Sequence, residues 1–226
     1  MSRPALADCG HPGCVRPASE RLLTAATVLT FARTGASMAL ALLGAWSESL
    51  SLLLWALAIY WIGDSADGLL ARAMSAETRA GAVLDIVCDR ACAACFYLGF
   101  AWFDPTMALP VGIYLFEFMV VDTYLSLAFL AWPLTSPNYF YLVDRRIWAW
   151  NWSTSGKAVN SAAFAVFMVL TRQPILATGI AVALLMLKVV STRWLTQLGL
   201  PLPRGCAAAA PSTTPGGWGS AHGGAG

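Results

Sequence analysis

Charge is what this chain has least of. Asp, Glu, Lys and Arg supply 12% of its 226 residues, hydrophobic types supply 58%, and the mean hydropathy is +0.64. Soluble domains carry about 25% charged residues, so this balance excludes an ordinary water-soluble fold. Histidine is also nearly missing. The two present, His11 and His222, lie outside every long apolar stretch, which argues against histidine general-base chemistry. The first twenty residues contain Cys9, Pro12, Cys14 and Pro17 but no apolar core, so no secretory signal is expected there. No internal repeat is visible, and with it goes the usual layout of a transporter built from duplicated halves.

Long apolar runs are what fills the space. Reading for spans of about 20 residues gives six: 23–43, 49–72, 81–103, 108–132, 156–170 and 174–195. The fold expected is all-α, an integral membrane bundle of six transmembrane helices. A flexible N-terminal segment (1–20) precedes the membrane domain (21–198). A Pro/Gly/Ala-rich tail (199–226) follows it and cannot bury enough apolar surface to order itself.

The basic residues orient these spans. An inside N-terminus puts Arg3, Arg16, Arg21, Arg72, Arg79, Arg145, Arg146, Lys157, Arg193 and Arg204 on the cytoplasmic side, with Arg172 alone in an outside loop. The chain is therefore expected to be multi-pass in the cell membrane with both termini cytoplasmic. A reducing side implies free thiols. Cys9 and Cys14, flanking His11, lack a second pair for zinc, and Cys88, Cys92 and Cys95 share a helix face that reads as packing.

One stretch breaks the apolar pattern. Asp64, Asp67, Gly68, Ala71 and Arg72 are followed by Gly81, Asp85 and Asp89. A charge placed mid-membrane costs about 2.5–3.5 kcal/mol even on the mildest scale, so four acids need cationic compensation. The spacing stacks Asp64, Asp67, Gly68 and Ala71 on one helix face, and Gly81, Asp85 and Asp89 on another. Two antiparallel helices joined through 73–80 bring these stripes together. Clustered carboxylates suit Mg²⁺ or Mn²⁺, hard ions that prefer oxygen. The two glycines leave room for a ligand against helix backbone, and Arg72 offers a fork for phosphate.

These residues resemble the signature of the CDP-alcohol phosphotransferases, Asp-x2-Asp-Gly-x2-Ala-Arg-x8-Gly-x3-Asp-x3-Asp, without a departure. A second likeness is Thr30 and Arg33, placed as in members that use CDP-diacylglycerol, although Thr27 stands where Asn is usual. A third is Gly156-Lys157. The resemblance implies a membrane transferase with its active site between helices two and three at the cytoplasmic side. It implies two ions, one held by Asp64, Asp67 and Asp85, the other by Asp85, Asp89 and Asp64. Asp89 would be the catalytic base, and Gly68, Ala71, Arg72 and Gly81 would hold the nucleotide. A phosphatidyl group would pass from a CDP-linked donor, CDP-diacylglycerol or another CDP-alcohol, to an alcohol acceptor with release of CMP. Thr30, Arg33, Arg145, Arg146 and Lys157 are the candidate acceptor or headgroup contacts. Family members are commonly homodimers, and no nucleic-acid partner is implied.

Other polar residues read less sharply. Glu117 and Asp122 interrupt the fourth span, either as ion-pair partners of Arg33 or Arg90 or as substrate contacts. Lys188 is expected to snorkel toward headgroups. Trp148, Trp150, Trp152, Tyr139 and Tyr141 read as an interfacial belt. Two other classes fit four membrane acids. An aspartate-rich membrane prenyltransferase would place its acids on two separated helix pairs. A cation-coupled transporter would spread them over repeated halves.

Overall fold

The computed structural model describes residues 23–199, and among these there is helix and no strand. The N-terminal segment 1–20 and all but the first residue of the 199–226 tail lie outside the described residues. So do Arg3, Arg16, Arg21, Arg204, Cys9, Cys14, His11 and His222.

We number the helices α1 (Ala25–Trp46), α2 (Leu50–Ala73), α3 (Arg79–Phe103), α4 (Pro105–Ala131), α5 (Arg145–Asn151), α6 (154–171) and α7 (Pro174–Leu198). Local chemistry sets their starts. Thr24, Thr78, Asp144 and Ser153 cap α1, α3, α5 and α6 by accepting from backbone N–H groups at 2.8–3.1 Å. Pro174 opens α7 at a position where its missing N–H costs nothing. Two helices are not uniform. Residues 117–122 of α4 and 158–163 of α6 form π-turns, where one extra residue re-aims the neighbouring side chains.

Four helices, α1, α2, α4 and α7, are long and apolar enough to cross a membrane. The other two expected spans correspond to α3, 25 residues with its acids in the first half, and to α6. Trp46, Leu170 and Ile175 are exposed by 91%, 77% and 85%. Apolar exposure on this scale suits contact with lipid and not with water.

α1 packs along both α2 and α3, while α4 packs against α7. Inside, Tyr114 stacks between Phe118 and Phe164 at centroid distances of 5.7 and 4.4 Å, next to Tyr97 and buried Cys92. A second core gathers Ile86, Phe129, Phe140, Ile147, Trp152 and Leu195 under the connection from α4 to α5.

Two expectations give way here. Trp152 is a core residue against Phe140 and not part of an interfacial belt, because its segment turns inward between α5 and α6. Lys188 does not snorkel. It is 2% exposed, and its ammonium donates to Asp122 at 2.6 Å and to Asn151 Oδ1 at 2.9 Å. A buried carboxylate partner outbids the headgroups.

Candidate active site

The helical spacing does what the sequence implied. Asp64 and Asp67 on α2 face Asp85 and Asp89 on α3, and one nitrogen measures how closely they meet. Arg33 Nη2 lies 3.4 Å from Asp64 Oδ1, 2.6 Å from Asp85 Oδ1 and 3.0 Å from Asp89 Oδ1. Arg33 Nε donates to Asp67 Oδ2 at 2.6 Å, and the Thr30 hydroxyl donates to the same oxygen at 2.8 Å. The site therefore belongs to three helices and not two. Thr30 and Arg33, candidate headgroup contacts in the sequence, are here bonded to the carboxylates.

A glycine makes this approach possible. A Cβ on Gly63 would stand 2.7 Å from Arg33 Cβ and 2.6 Å from Arg33 Cδ, closer than carbon atoms pack. No side chain fits there. The Tyr60 ring lies one turn earlier, with its centroid 5.8 Å from the Arg33 guanidinium carbon.

The electrostatic balance of the cluster is uneven. Four carboxylates meet one guanidinium, leaving three formal negative charges without a partner in the cluster. Asp67 is buried, but the Asp64 and Asp85 side chains are 37% and 39% exposed, so both can reach a ligand. Asp64, Asp67 and Asp85 each offer an oxygen within 4.8 Å of the others. Oxygens around one divalent ion, at metal–oxygen distances of about 2.0–2.6 Å, span up to about 5 Å. Donor type, spacing and surplus charge all fit a hard divalent cation, and the Arg33 guanidinium is the stand-in cation at that point. Arg33 Nη1, buried and without a hydrogen-bond partner, is a spare donor for an anionic oxygen.

Two cavities meet at the cluster. The first is walled by Asp67, Gly68, Ala71, Arg72, Gly81 and Asp85, with Thr27 and Thr30 from α1. It thus gathers all four candidate nucleotide residues. Gly68 has a specific use, since a Cβ there would sit 3.3 Å from Arg72 Nη1; its absence lets the guanidinium fold back over the helix. The second is walled by Asp64, Asp85 and Asp89 together with Arg90, Asp122, Lys157 and Lys188. Ala82, Asp85, Ser136 and Asn138 border both cavities.

Not every candidate converges. Arg145 and Arg146 line neither cavity; Arg146 bonds Asp144 at 3.2 Å and lies over the Trp194 ring at 5.5 Å. Lys157 does line the second cavity. Gly156 seats it there, because a Cβ would meet the backbone oxygens of Ala149 and Trp150 at 2.9 Å. Of the two acids in α4, Asp122 pairs with Arg90 and Lys188, while Glu117 is buried with neither oxygen bonded. Cys88, Cys92 and Cys95 are free thiols.

Sequence reasoning missed Gly63, Tyr60, Asn160 and the stretch from Thr135 to Asn138. Only Gly63 carried a signal, as a small residue one turn before Asp67. The 135–138 stretch is held over the site from the 74–79 loop. Tyr139 donates to Glu77 Oε2 at 2.7 Å, and Arg79 donates to Leu130 O at 2.6 Å. Burial first, and then that bond to Glu77, push the Tyr139 phenol above its ordinary range, so it stays a donor at neutral pH.

No curated protein matches this chain, and neither does any solved structure. The family model described as CDP-alcohol phosphatidyltransferase matches residues 23–194, well over half of the 226. That match spans α1 to most of α7 and contains every residue of the carboxylate cluster, so the chain belongs to the CDP-alcohol phosphatidyltransferase family.

Proposed function

We propose that this membrane protein moves a phosphatidyl group from CDP-diacylglycerol to an alcohol acceptor, releasing CMP. One observation carries the reading. Two cavities meet at a four-carboxylate cluster, one walled by Gly68, Ala71, Arg72 and Gly81, the other by Asp64, Asp85 and Asp89. A donor in the first and an acceptor in the second would touch where Asp85 borders both.

The chain's residues then have these roles. Gly68, Ala71, Arg72 and Gly81 hold the cytidine nucleotide, with the Arg72 fork on phosphate oxygens. Thr30 and Arg33 fix the Asp67 carboxylate. Asp89 accepts the proton of the acceptor hydroxyl as that oxygen attacks the phosphorus bearing the lipid, in line with the departing CMP oxygen. Asp64, Asp67 and Asp85, and Asp64, Asp85 and Asp89, would hold two Mg²⁺ (or Mn²⁺) ions, whose charge neutralises the diphosphate and the leaving group.

The same reading takes the unit 21–198 as the catalytic domain, with six spanning helices. Both termini and the site face the cytoplasm, and the protein sits in the cell membrane as a homodimer. The test is direct. Purified protein is incubated with CDP-diacylglycerol, Mg²⁺ and a panel of alcohols, and lipid products are read by mass spectrometry. A phosphatidyl product together with CMP supports the reading. No CMP from any CDP-linked donor would favour a prenyltransferase instead.

A further inference from the structure

Arg72 and Glu77 carry opposite charges and wall the same cavity, yet they are not paired. Arg72 makes no hydrogen bond or ion pair among the described residues, and its guanidinium lies back along α2 beside Gly68. A guanidinium is a stronger partner for a carboxylate than a neutral hydroxyl, because charge on both sides strengthens the bond. Two such groups five residues apart stay separate only if something restrains one of them.

The restraint is a phenol from across the cavity. Tyr139 donates to Glu77 Oε2 at 2.7 Å, a contact 62 residues apart in the chain. Glu77 and Arg72 both act electrostatically on that phenol, so the three groups share one neighbourhood. The backbone carrying Tyr139 is fixed. Its neighbour Phe140 is fully buried, the Tyr139 ring packs on the second core, and the Trp148 indole donates to Asn138 O at 2.9 Å. The Glu77 side is fixed as well. Thr78 caps α3 by accepting from Gly81 N at 2.9 Å, and Ser75 takes a left-handed backbone, with φ at 50°, as the chain leaves α2.

The placement of this bond bears on a ligand. Ala76, Glu77 and Thr78 form one edge of the first cavity, and Thr135, Ser136 and Asn138 form another. Among the described residues that wall it, Arg72 is the one cation, against Asp67, Asp85 and Glu77. If Glu77 paired with Arg72, an anion entering this cavity would meet carboxylates alone.

We propose that Tyr139 is a positioning residue, which holds Glu77 aside and so keeps the Arg72 guanidinium open for the phosphate of a nucleotide. The proposal rests on the nucleotide reading of the first cavity and deepens it. Tyr139 does not itself line either cavity; it acts through Glu77 on Arg72. Without the phenol hydroxyl, Glu77 turns to Arg72 and competes with the phosphate.

The experiment uses the full chain in nanodiscs and compares the parent with Tyr139→Phe, Glu77→Gln and the double variant. Two quantities are read. One is the labelling rate of Arg72 by phenylglyoxal, an arginine-selective reagent, followed by peptide mass spectrometry without any ligand; Arg72 is exposed and within its reach. The other is the affinity for CMP, measured by calorimetry with Mg²⁺. Tyr139→Phe should slow Arg72 labelling and weaken CMP binding about twofold to fivefold, the scale of one competing surface ion pair. Adding Glu77→Gln should restore both, because the competing charge is gone. Glu77→Gln alone should match the parent, since its amide oxygen still accepts from the phenol. A hydroxyl that only braced the fold would give a loss that the second substitution cannot undo. The proposal is overturned by parent-like values in Tyr139→Phe, by a loss that persists in the double variant, or by slower labelling with unchanged CMP affinity. If the parent binds no CMP, the nucleotide reading fails by itself, and Arg72 labelling decides the restraint. Slowing in Tyr139→Phe that the double variant reverses would uphold it, and unchanged labelling would end it.

Discussion

Gly63→Ala puts one methyl group where α1 and α2 come closest. The new Cβ would stand 2.6 Å from Arg33 Cδ and 2.7 Å from Arg33 Cβ, whereas ordinary carbon contacts begin near 3.4 Å. About 0.7–0.8 Å must be found. Arg33 Cβ is fixed to the helix and cannot rotate away, so either the helices part or the whole residue is displaced. Overpacking of this kind costs about 1–3 kcal/mol, or roughly 2–12 °C in a chain of this size. Melting in detergent can be followed with a thiol-reactive dye, because Cys88 and Cys92 are buried and become reactive only on unfolding. Displacing Arg33 also spreads Asp64, Asp85 and Asp89, which are gathered on one of its nitrogens, so CMP release should fall together with the melting temperature. A variant that melts and turns over like the parent would refute the close approach and the three-helix site with it.

Asp89→Asn should lower turnover about 10²–10⁴-fold with little change in CMP binding, measured by calorimetry at saturating Mg²⁺; near-normal turnover would shift the base to another group. Asp67→Ala should instead weaken both the Mg²⁺ dependence and nucleotide binding, and the contrast between the two variants separates base from ligand. Lys188→Met should destabilise by about 3 kcal/mol, the low end for breaking a buried pair because Arg90 still holds Asp122. Replacing Asp122 and Lys188 together by apolar residues should cost more than the single change, because it leaves buried Arg90 without its carboxylate, as read from the same melting curves. Removing divalent ions with EDTA should stop CMP release, and adding Mg²⁺ or Mn²⁺ should restore it.

The cluster was legible because its information is local. Asp64, Asp67, Asp85 and Asp89 sit at helical spacing on two consecutive helices, and regular α2 and α3 carry that spacing straight into geometry. The helices themselves were legible from unbroken apolar runs. Contacts made over distance were not. Lys188 lies 66 residues from Asp122, and no periodicity tells an inward lysine from one reaching for headgroups. The role of Arg33 depends on how near α1 comes at Gly63, a fact about two helices and not about either sequence window. The π-turns were invisible for another reason. An extra residue shifts every later side chain, so a 3.6-residue pattern mislocates Asp122 and Asn160. The 135–138 stretch has no period at all, yet it borders both cavities.

Isotope exchange asks the question most directly. Purified protein in nanodiscs with the phospholipid product, Mg²⁺ and radiolabelled CMP should run the reaction backward. Label should then appear in CDP-diacylglycerol, and Asp85→Asn should abolish the signal, since Asp85 borders both cavities. Label that never leaves CMP, with protein shown to be folded and metal-loaded, would contradict phosphatidyl transfer through a CDP-linked lipid.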